Sequence, residues 1–381
     1  ETGNGVPVNK EEAAKYYKLA ADNGNTNAMN TYGVMLKKGE GVESDPQLAR
    51  KYFKDAADKG NINAMFNYGW ILYNGLGVTP NRKEAIKYFK VAAKFGQINA
   101  MNSYGVMLME GDNVQEDKQE AYKLFKEAAD KGNINAMYNY ALILLNGGGG
   151  VEVNKEEACK YFKIAADKGQ ASAMTNYGYM LETGDGVPED KSKASKYYKA
   201  AAEKGNPNAM YNYGLLLEKG ELDSQPNEEQ ACIYYKMAAD RGQVNACVNF
   251  GWMLEHGIGT GEDPGRALQL YKFAADKGNL NGMNNLAWMI EKQSEEGETS
   301  ETLSKETACN YYKEAADKGN TNAMYNYAWM LENGEGVDLD RPQALQYYKK
   351  AADLDHIRAM YRYALLLDNG YDDIPANKEE A

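Results

Sequence analysis

The sequence predicts an all-α fold: an α/α superhelix, a right-handed solenoid of about ten tandem helix–turn–helix repeats. Three observations lead there. A phrase of the type Tyr-Tyr-Lys-x-Ala-Ala-Asp-x-Gly recurs along the whole chain. A second phrase, Asn-Ala-Met-x-x-Tyr-Gly-x-Met-Leu, follows each copy at a fixed distance. Both phrases carry their apolar residues at helical spacing.

The first phrase spans Tyr16–Gly24, and near copies end at Gly60, Gly96, Gly132, Gly169, Gly205, Gly242, Gly278 and Gly319, with a tenth at Asp355. Successive copies lie 36 or 37 residues apart, except for one step of 41 caused by an acidic insertion at 292–304. Ala13, Tyr16, Tyr17, Ala20 and Ala21 fall at i, i+3, i+4, i+7 and i+8, the apolar face of one helix. Acids open that helix where its dipole favours them. The terminal Gly supplies a left-handed stop.

In the second phrase Ala28, Met29, Tyr32, Gly33 and Leu36 repeat the pattern. Gly33 recurs as Gly69, Gly105, Gly178, Gly214 and Gly251, and its replacement is always Ala, at Ala141, Ala287, Ala328 and Ala364. Gly inside a helix costs about 1 kcal/mol against Ala, so its persistence predicts another helix packed directly over this point. A turn of the type Gly-x-Gly-Val closes many repeats, as at Gly39–Val42 and Gly334–Val337. One repeat cannot cover two apolar faces by itself; stacked neighbours can. The chain opens on Glu1–Val6, which copies the end of a repeat, and stops on Asn377–Ala381, which copies the start of another. The expectation is one solenoid over 1–381, a slice of an array that continues at both ends.

The totals exclude several classes. A net charge of −12 disfavours phosphate backbones, so no nucleic-acid partner is expected. No run of apolar residues is long enough to span a membrane, so no membrane insertion by this segment is expected. Cys159, Cys232, Cys247 and Cys309 lack metal-ligand spacing, and the expectation is four small buried or half-buried thiols with no metal. His256 and His356 are the only histidines and stand in different repeats. No metalloprotease, nucleophile-elbow or phosphate-loop motif is present, so no catalytic residue and no cofactor is assigned.

These residues resemble the SEL-1-like repeat family, a branch of the tetratricopeptide superfamily, over nearly the whole chain. The resemblance rests on Ala-x-x-Tyr-Tyr-x-x-Ala-Ala-x-x-Gly, Ala-x-x-x-Tyr-Gly and Gly-x-Gly-Val, ten times in register. It implies an α/α superhelix that scaffolds protein complexes. A disulfide-stapled subgroup of that family carries paired cysteines in each repeat; this chain departs from it, because Cys159, Cys232 and Cys309 stand in alternate repeats.

Aligned on Gly33, the Met-bearing helix is similar to the helix that lines the concave groove of tetratricopeptide arrays. The resemblance therefore places the columns of Asn27, Asn30, Thr31 and Val34 on a partner-facing side, and periodicity independently leaves them off the inter-repeat core. The Thr31 column contains Asn67, Asn139, Asn176, Asn212, Asn249, Asn285, Asn326 and Arg362. Asn is a poor helix former mid-helix, so these residues need either a ligand or a hydrogen bond to the next repeat. The Asn27 column forms a second amide ladder, placed either to satisfy free N–H groups of the first turn or to bind. The Val34 column holds every tryptophan, Trp70, Trp252, Trp288 and Trp329, with Tyr179 in the fifth copy. One turn earlier stand Phe66, Tyr138, Tyr211, Tyr325 and Tyr361. In the tenth copy Arg358 and Arg362 replace the amides, either to grip a carboxylate or to meet a further repeat.

The expected function is a protein-interaction scaffold that takes an extended peptide or a partner protein in a groove. Three alternatives stand beside it: a purely architectural rod within a large assembly, a carbohydrate-binding module using the aromatic stripe, and an enzyme whose catalytic domain lies outside 1–381.

Overall fold

The structure is a computed structural model and describes residues 8–221, 225–295, 304–370 and 376–377. Twenty α-helices and no β-strand are found among the described residues. Helices built from the first phrase (the tyrosine helices) alternate with helices built from the second (the methionine helices). The chain forms two compact units, Glu1–Tyr197 and Tyr198–Ala381. In the first, the tyrosine helices are Lys10–Asp22, Pro46–Asp58, Arg82–Lys94, Lys118–Asp130 and Lys155–Asp167. Its methionine helices are Thr26–Lys38, Ile62–Asn74, Ile98–Glu110, Ile134–Asn146 and Ala171–Thr183. In the second, the methionine helices are Pro207–Glu218, Val244–His256, Leu280–Glu295, Thr321–Asn333 and Ile357–Asn369. Between them lie the tyrosine helices Glu228–Ala239, Pro264–Asp276, Lys305–Asp317 and Arg341–Ala352. Lys191–Glu203 contains the boundary between the units.

Local chemistry starts and stops each helix. The tyrosine helices open on Asn, Asp or Ser caps; the Asp45 side chain, for example, accepts from Leu48 N at 2.9 Å. The methionine helices open on Asn, Gln or His two residues before the Asn27 column, as Asn61 accepts from Ala64 N at 2.9 Å. The Asn27-type residues are thus not the caps. Instead they accept a hydrogen bond from the cap of the next repeat: Asn61 Nδ2 donates to Asn27 Oδ1 at 2.8 Å, and Asn133, Asn279 and Asn320 repeat the link to Asn99, Asn245 and Asn281. One side chain both caps its own helix and ties it to the preceding repeat. At the other end, Asp355 adopts φ 63° where nine other copies use Gly.

The core repeats with the sequence. Ala56, Ala57 and Phe53 are sealed in the second tyrosine helix, and their counterparts are sealed along both units. Pairs of tyrosines meet edge to face across adjacent helices, Tyr32 on Tyr52 at 5.1 Å and Tyr327 on Tyr347 at 4.9 Å. Tyr16 belongs to the same column as Tyr52, but no helix pair precedes it among the described residues and it is exposed. The persistent Gly33 column has the reason expected of it. A Cβ on Gly33 would stand 2.7 Å from the ring of Phe53, and one on Gly251 would stand 2.8 Å from Tyr271. The second Gly of the Gly-x-Gly-Val turn is constrained twice. Gly41 has φ 70°, and a Cβ there would collide with the Lys10 carbonyl at the start of the preceding tyrosine helix.

The insertion at 292–304 begins as helix, since Leu280–Glu295 is 16 residues long against 13 for most others. Its remainder, 296–303, lies outside the described residues, as do the end motifs at 1–7 and 378–381. The four cysteines are free and buried. No helix among the described residues is long and apolar enough to cross a membrane.

Candidate functional site

The Thr31 column is half-buried throughout. Its amides bind the neighbouring repeat: Asn67 Nδ2 donates to Asn30 Oδ1 at 2.8 Å, Asn139 to Asn102 at 2.9 Å, and Asn326 to Asn284 at 2.9 Å. Asn176, Asn249 and Asn285 instead engage the phenols of Tyr138, Tyr235 and Tyr271. Hydrogen bonds to the preceding repeat or to a nearby phenol thus account for six of the seven Asn residues at this mid-helix position. Asn212 takes the same half-buried place in the first methionine helix of the second unit.

The indole column behaves differently. Trp252 and Trp288 are 41% and 42% exposed, and Tyr179 is 53% exposed; Trp70 and Trp329 are half-buried. The core residues two places earlier on the same helices, Tyr68, Tyr177, Phe250, Leu286 and Tyr327, are sealed, so this column is the more open aromatic surface of these helices. Two indoles already carry a cation, Lys37 Nζ at 3.7 Å from the ring centre of Trp70 and Lys292 Nζ at 5.4 Å from that of Trp288. Trp252 packs against His256, with ring centres 4.7 Å apart and planes tilted by 33°. The aromatics one turn earlier mostly pack inward. Phe66, Tyr138, Tyr211 and Tyr325 each lie within 5.7 to 5.8 Å of a tyrosine-helix ring, while Tyr361 is exposed.

One turn beyond the indoles is a feature that the residue patterns had not singled out. In the second unit Glu218, Glu255, Glu291 and Glu332 occupy this column, and each accepts a hydrogen bond from a buried tyrosine on the following helix. Tyr271 reaches Glu255 at 2.8 Å, Tyr312 reaches Glu291 at 3.0 Å, and Tyr348 reaches Glu332 at 2.8 Å; Tyr235 serves Glu218 in the same way. Burial pushes all four phenols well above the ordinary tyrosine range, and the adjoining carboxylates push the same way. In the first four methionine helices of the first unit the same column reads Lys37, Tyr73, Met109 and Leu145, and the buried ring is Phe53, Phe89, Phe125 or Phe162; Glu182 enters the column in the fifth. Acid and phenol arrive together or not at all. That co-occurrence was the available signal in the sequence.

In the second unit Trp288, Glu291, Tyr312, Tyr325, Asn326 and Trp329 line a cavity of about 200 Å³. Arg362 stands where Asn326 stands one repeat earlier, and its guanidinium lies 3.7 Å from Glu332 and hydrogen-bonds Tyr325. Arg358 is exposed. In the first unit the Asn27-type ladder, Asn63, Asn99 and Asn135, lines a separate open trough of about 770 Å³ at the hairpin edge, beside Lys131 and Lys168. No cluster of three or more metal-ligating side chains is found among the described residues.

The Sel1 repeat family matches eleven segments: 1–25, 26–61, 62–94, 98–133, 134–170, 171–206, 207–243, 244–279, 281–320, 321–356 and 357–381. The chain belongs to the Sel1 repeat family. The count is eleven rather than about ten, because the first and last matches are partial. A protective antigen of uropathogenic Escherichia coli with an SLR fold is similar over 99% of this chain and 78% of its own, at 26% identity and a TM-score of 0.78. A Sel1 repeat protein from Oxalobacter formigenes is similar over 61% of this chain and 99% of its own, at 32% identity and a TM-score of 0.54. A search of curated proteins gives no significant match. Sel1 repeats form a tetratricopeptide-like helical fold that generally serves protein interaction and is typically not enzymatic.

Proposed function

We propose that this Sel1 repeat protein is an interaction scaffold that binds an extended segment of a partner protein along the exposed face of its methionine helices. The contact residues are Asn67, Trp70, Asn139, Asn176 and Tyr179 in the first unit, and Asn212, Asn249, Trp252, Asn285, Trp288, Asn326 and Trp329 in the second. The observation that carries the reading is the open indole column, since large rings at a fixed place on successive helices gain most from desolvation by a partner. The amide column beneath plays a smaller part than its chemistry first suggests, because many of its donors are committed between repeats. Its carboxamides hold the indole-bearing helices in register. Arg362 likewise pairs with Glu332, which leaves Arg358 as the exposed arginine of the same helix.

All four tryptophans stand in this one column, so their fluorescence reports on this face alone. A partner bound here shifts tryptophan emission, and its capture is lost when Trp252, Trp288 and Trp329 are changed to Ala with the unfolding midpoint unchanged. Partner capture that leaves the emission and the triple variant unaffected would favour the architectural reading, in which contacts run through the outer faces.

A further inference from the structure

The two units present chemically different faces. One turn beyond the indole column the first offers Lys37, Tyr73, Met109 and Leu145 with a single acid, Glu182, in its last methionine helix, whereas the second offers Glu218, Glu255, Glu291 and Glu332 in succession. Resting on the scaffold reading above, we propose that the second unit's indole–glutamate pockets bind arginine side chains of a basic extended partner. The cavity beneath Trp288 and Trp329 takes one such guanidinium against Glu291.

Three features of the pocket argue for this ligand. Its volume, about 200 Å³, is side-chain sized, below the ~300–1,000 Å³ of sites for whole small molecules. Its walls are two indoles, two phenols, an amide and one carboxylate. That set suits a flat cation, which pairs with the acid and stacks on the Trp329 ring, while Trp288 keeps Lys292 at 5.4 Å. The Glu291 carboxylate takes the Tyr312 hydroxyl on Oε2 at 3.0 Å, which orients it, and a carboxylate has acceptor sites for more than one donor.

The protein also supplies its own example. In the next repeat Arg362 replaces the amide of Asn326 and sends its guanidinium to the equivalent acid, Glu332, at 3.7 Å, while hydrogen-bonding Tyr325. The acid is 11% exposed at its side chain and the arginine 37%, so the carboxylate end of the contact is largely desolvated. The last pocket of the series is therefore filled in cis by the group that the preceding one accepts in trans. Charge runs the same way, since a chain of net charge −12 draws a basic segment towards it.

The test uses the full chain and three short labelled peptides, in which serine alternates with arginine, lysine or glutamine, read by fluorescence anisotropy. The arginine peptide is expected to bind about tenfold more tightly than the glutamine peptide, with the lysine peptide between them. Glu291→Gln keeps an acceptor for Tyr312 but removes the charge. It should weaken the arginine peptide several-fold and leave the glutamine peptide unchanged. Arg362→Asn should empty the last pocket and tighten the arginine peptide. Equal binding of all three peptides, or an arginine affinity indifferent to Glu291→Gln, overturns the inference. If the glutamine peptide binds as well as the others and is lost in the triple Trp→Ala variant, the scaffold face stands and the arginine preference falls. If no peptide binds at about 1 mM, the inference falls with it.

Discussion

Moving a tyrosine–glutamate pair from the second unit into the first tests whether the two residues form one unit of design. Phe125 is 1% exposed and stands over Gly105, as Tyr271 stands over Gly251; Met109 holds the place of Glu255. Phe125→Tyr alone buries a hydroxyl with no acid opposite it, at a cost of about 1–3 kcal/mol. Met109→Glu alone places a carboxylate at a half-buried site with no phenol to meet it, and is also destabilising. Together they can form the bond seen between Tyr271 and Glu255 at 2.8 Å. A hydrogen bond to a charged group is worth about 1.5–3 kcal/mol, so the double variant should recover about that much relative to the sum of the singles. The reverse cycle, Tyr271→Phe with Glu255→Met, should give a coupling of the same sign. Urea unfolding gives the four stabilities if the slopes agree, and hydrogen exchange within the altered repeat provides a local reading where stacked repeats open separately. Additivity to within about 0.5 kcal/mol would refute the pairing.

Three further outcomes follow from the geometry. Asn133→Ala loses both the cap on Ala136 N at 2.8 Å and the link to Asn99 at 3.0 Å. It should cost about 1–2 kcal/mol in urea unfolding, whereas Asn133→Asp keeps the cap and should lose only about 0.5–1.5 kcal/mol. Asp167 and Asp317 are held below the ordinary carboxylate range by hydrogen bonds from Lys163 and Lys313, helped by Tyr197 and Tyr347. Their folded pKa values are depressed, so the unfolded chain binds more protons. Their contribution is complete above about pH 4 and fades as the pH falls below it, and Asp317→Asn should flatten the acid limb of the stability curve. Burial raises the Cys247 and Cys309 thiols to about 11, so at pH 8 a thiol reagent should leave the native chain unmodified and label all four cysteines in urea.

The sequence by itself determined the architecture. Helical spacing within each phrase, Gly after each tyrosine helix and a small residue at every Gly33 position define helices, turns and one close contact, and each recurs too regularly for any other packing. The partly open indole column was legible for the same reason: once Met29, Tyr32 and Leu36 fill the buried face, the Val34 column is left at its edge, where Trp252 and Trp288 stand open and Trp70 and Trp329 half-buried. Tertiary structure decided what the polar residues do. Asn27 and Asn67 have the same composition whether they cap a helix, bind a ligand or tie one repeat to the next, and only the positions of Asn61 and Asn30 settle the choice. The glutamates were hidden likewise. Glu255 reads as a solvated charge in sequence, because the hydroxyl that orients it, on Tyr271, lies 16 residues away on another helix. A periodic pattern fixes the direction in which a side chain leaves its helix, whereas hydrogen bonding depends on what stands opposite, and in stacked helices that residue always belongs to a different segment.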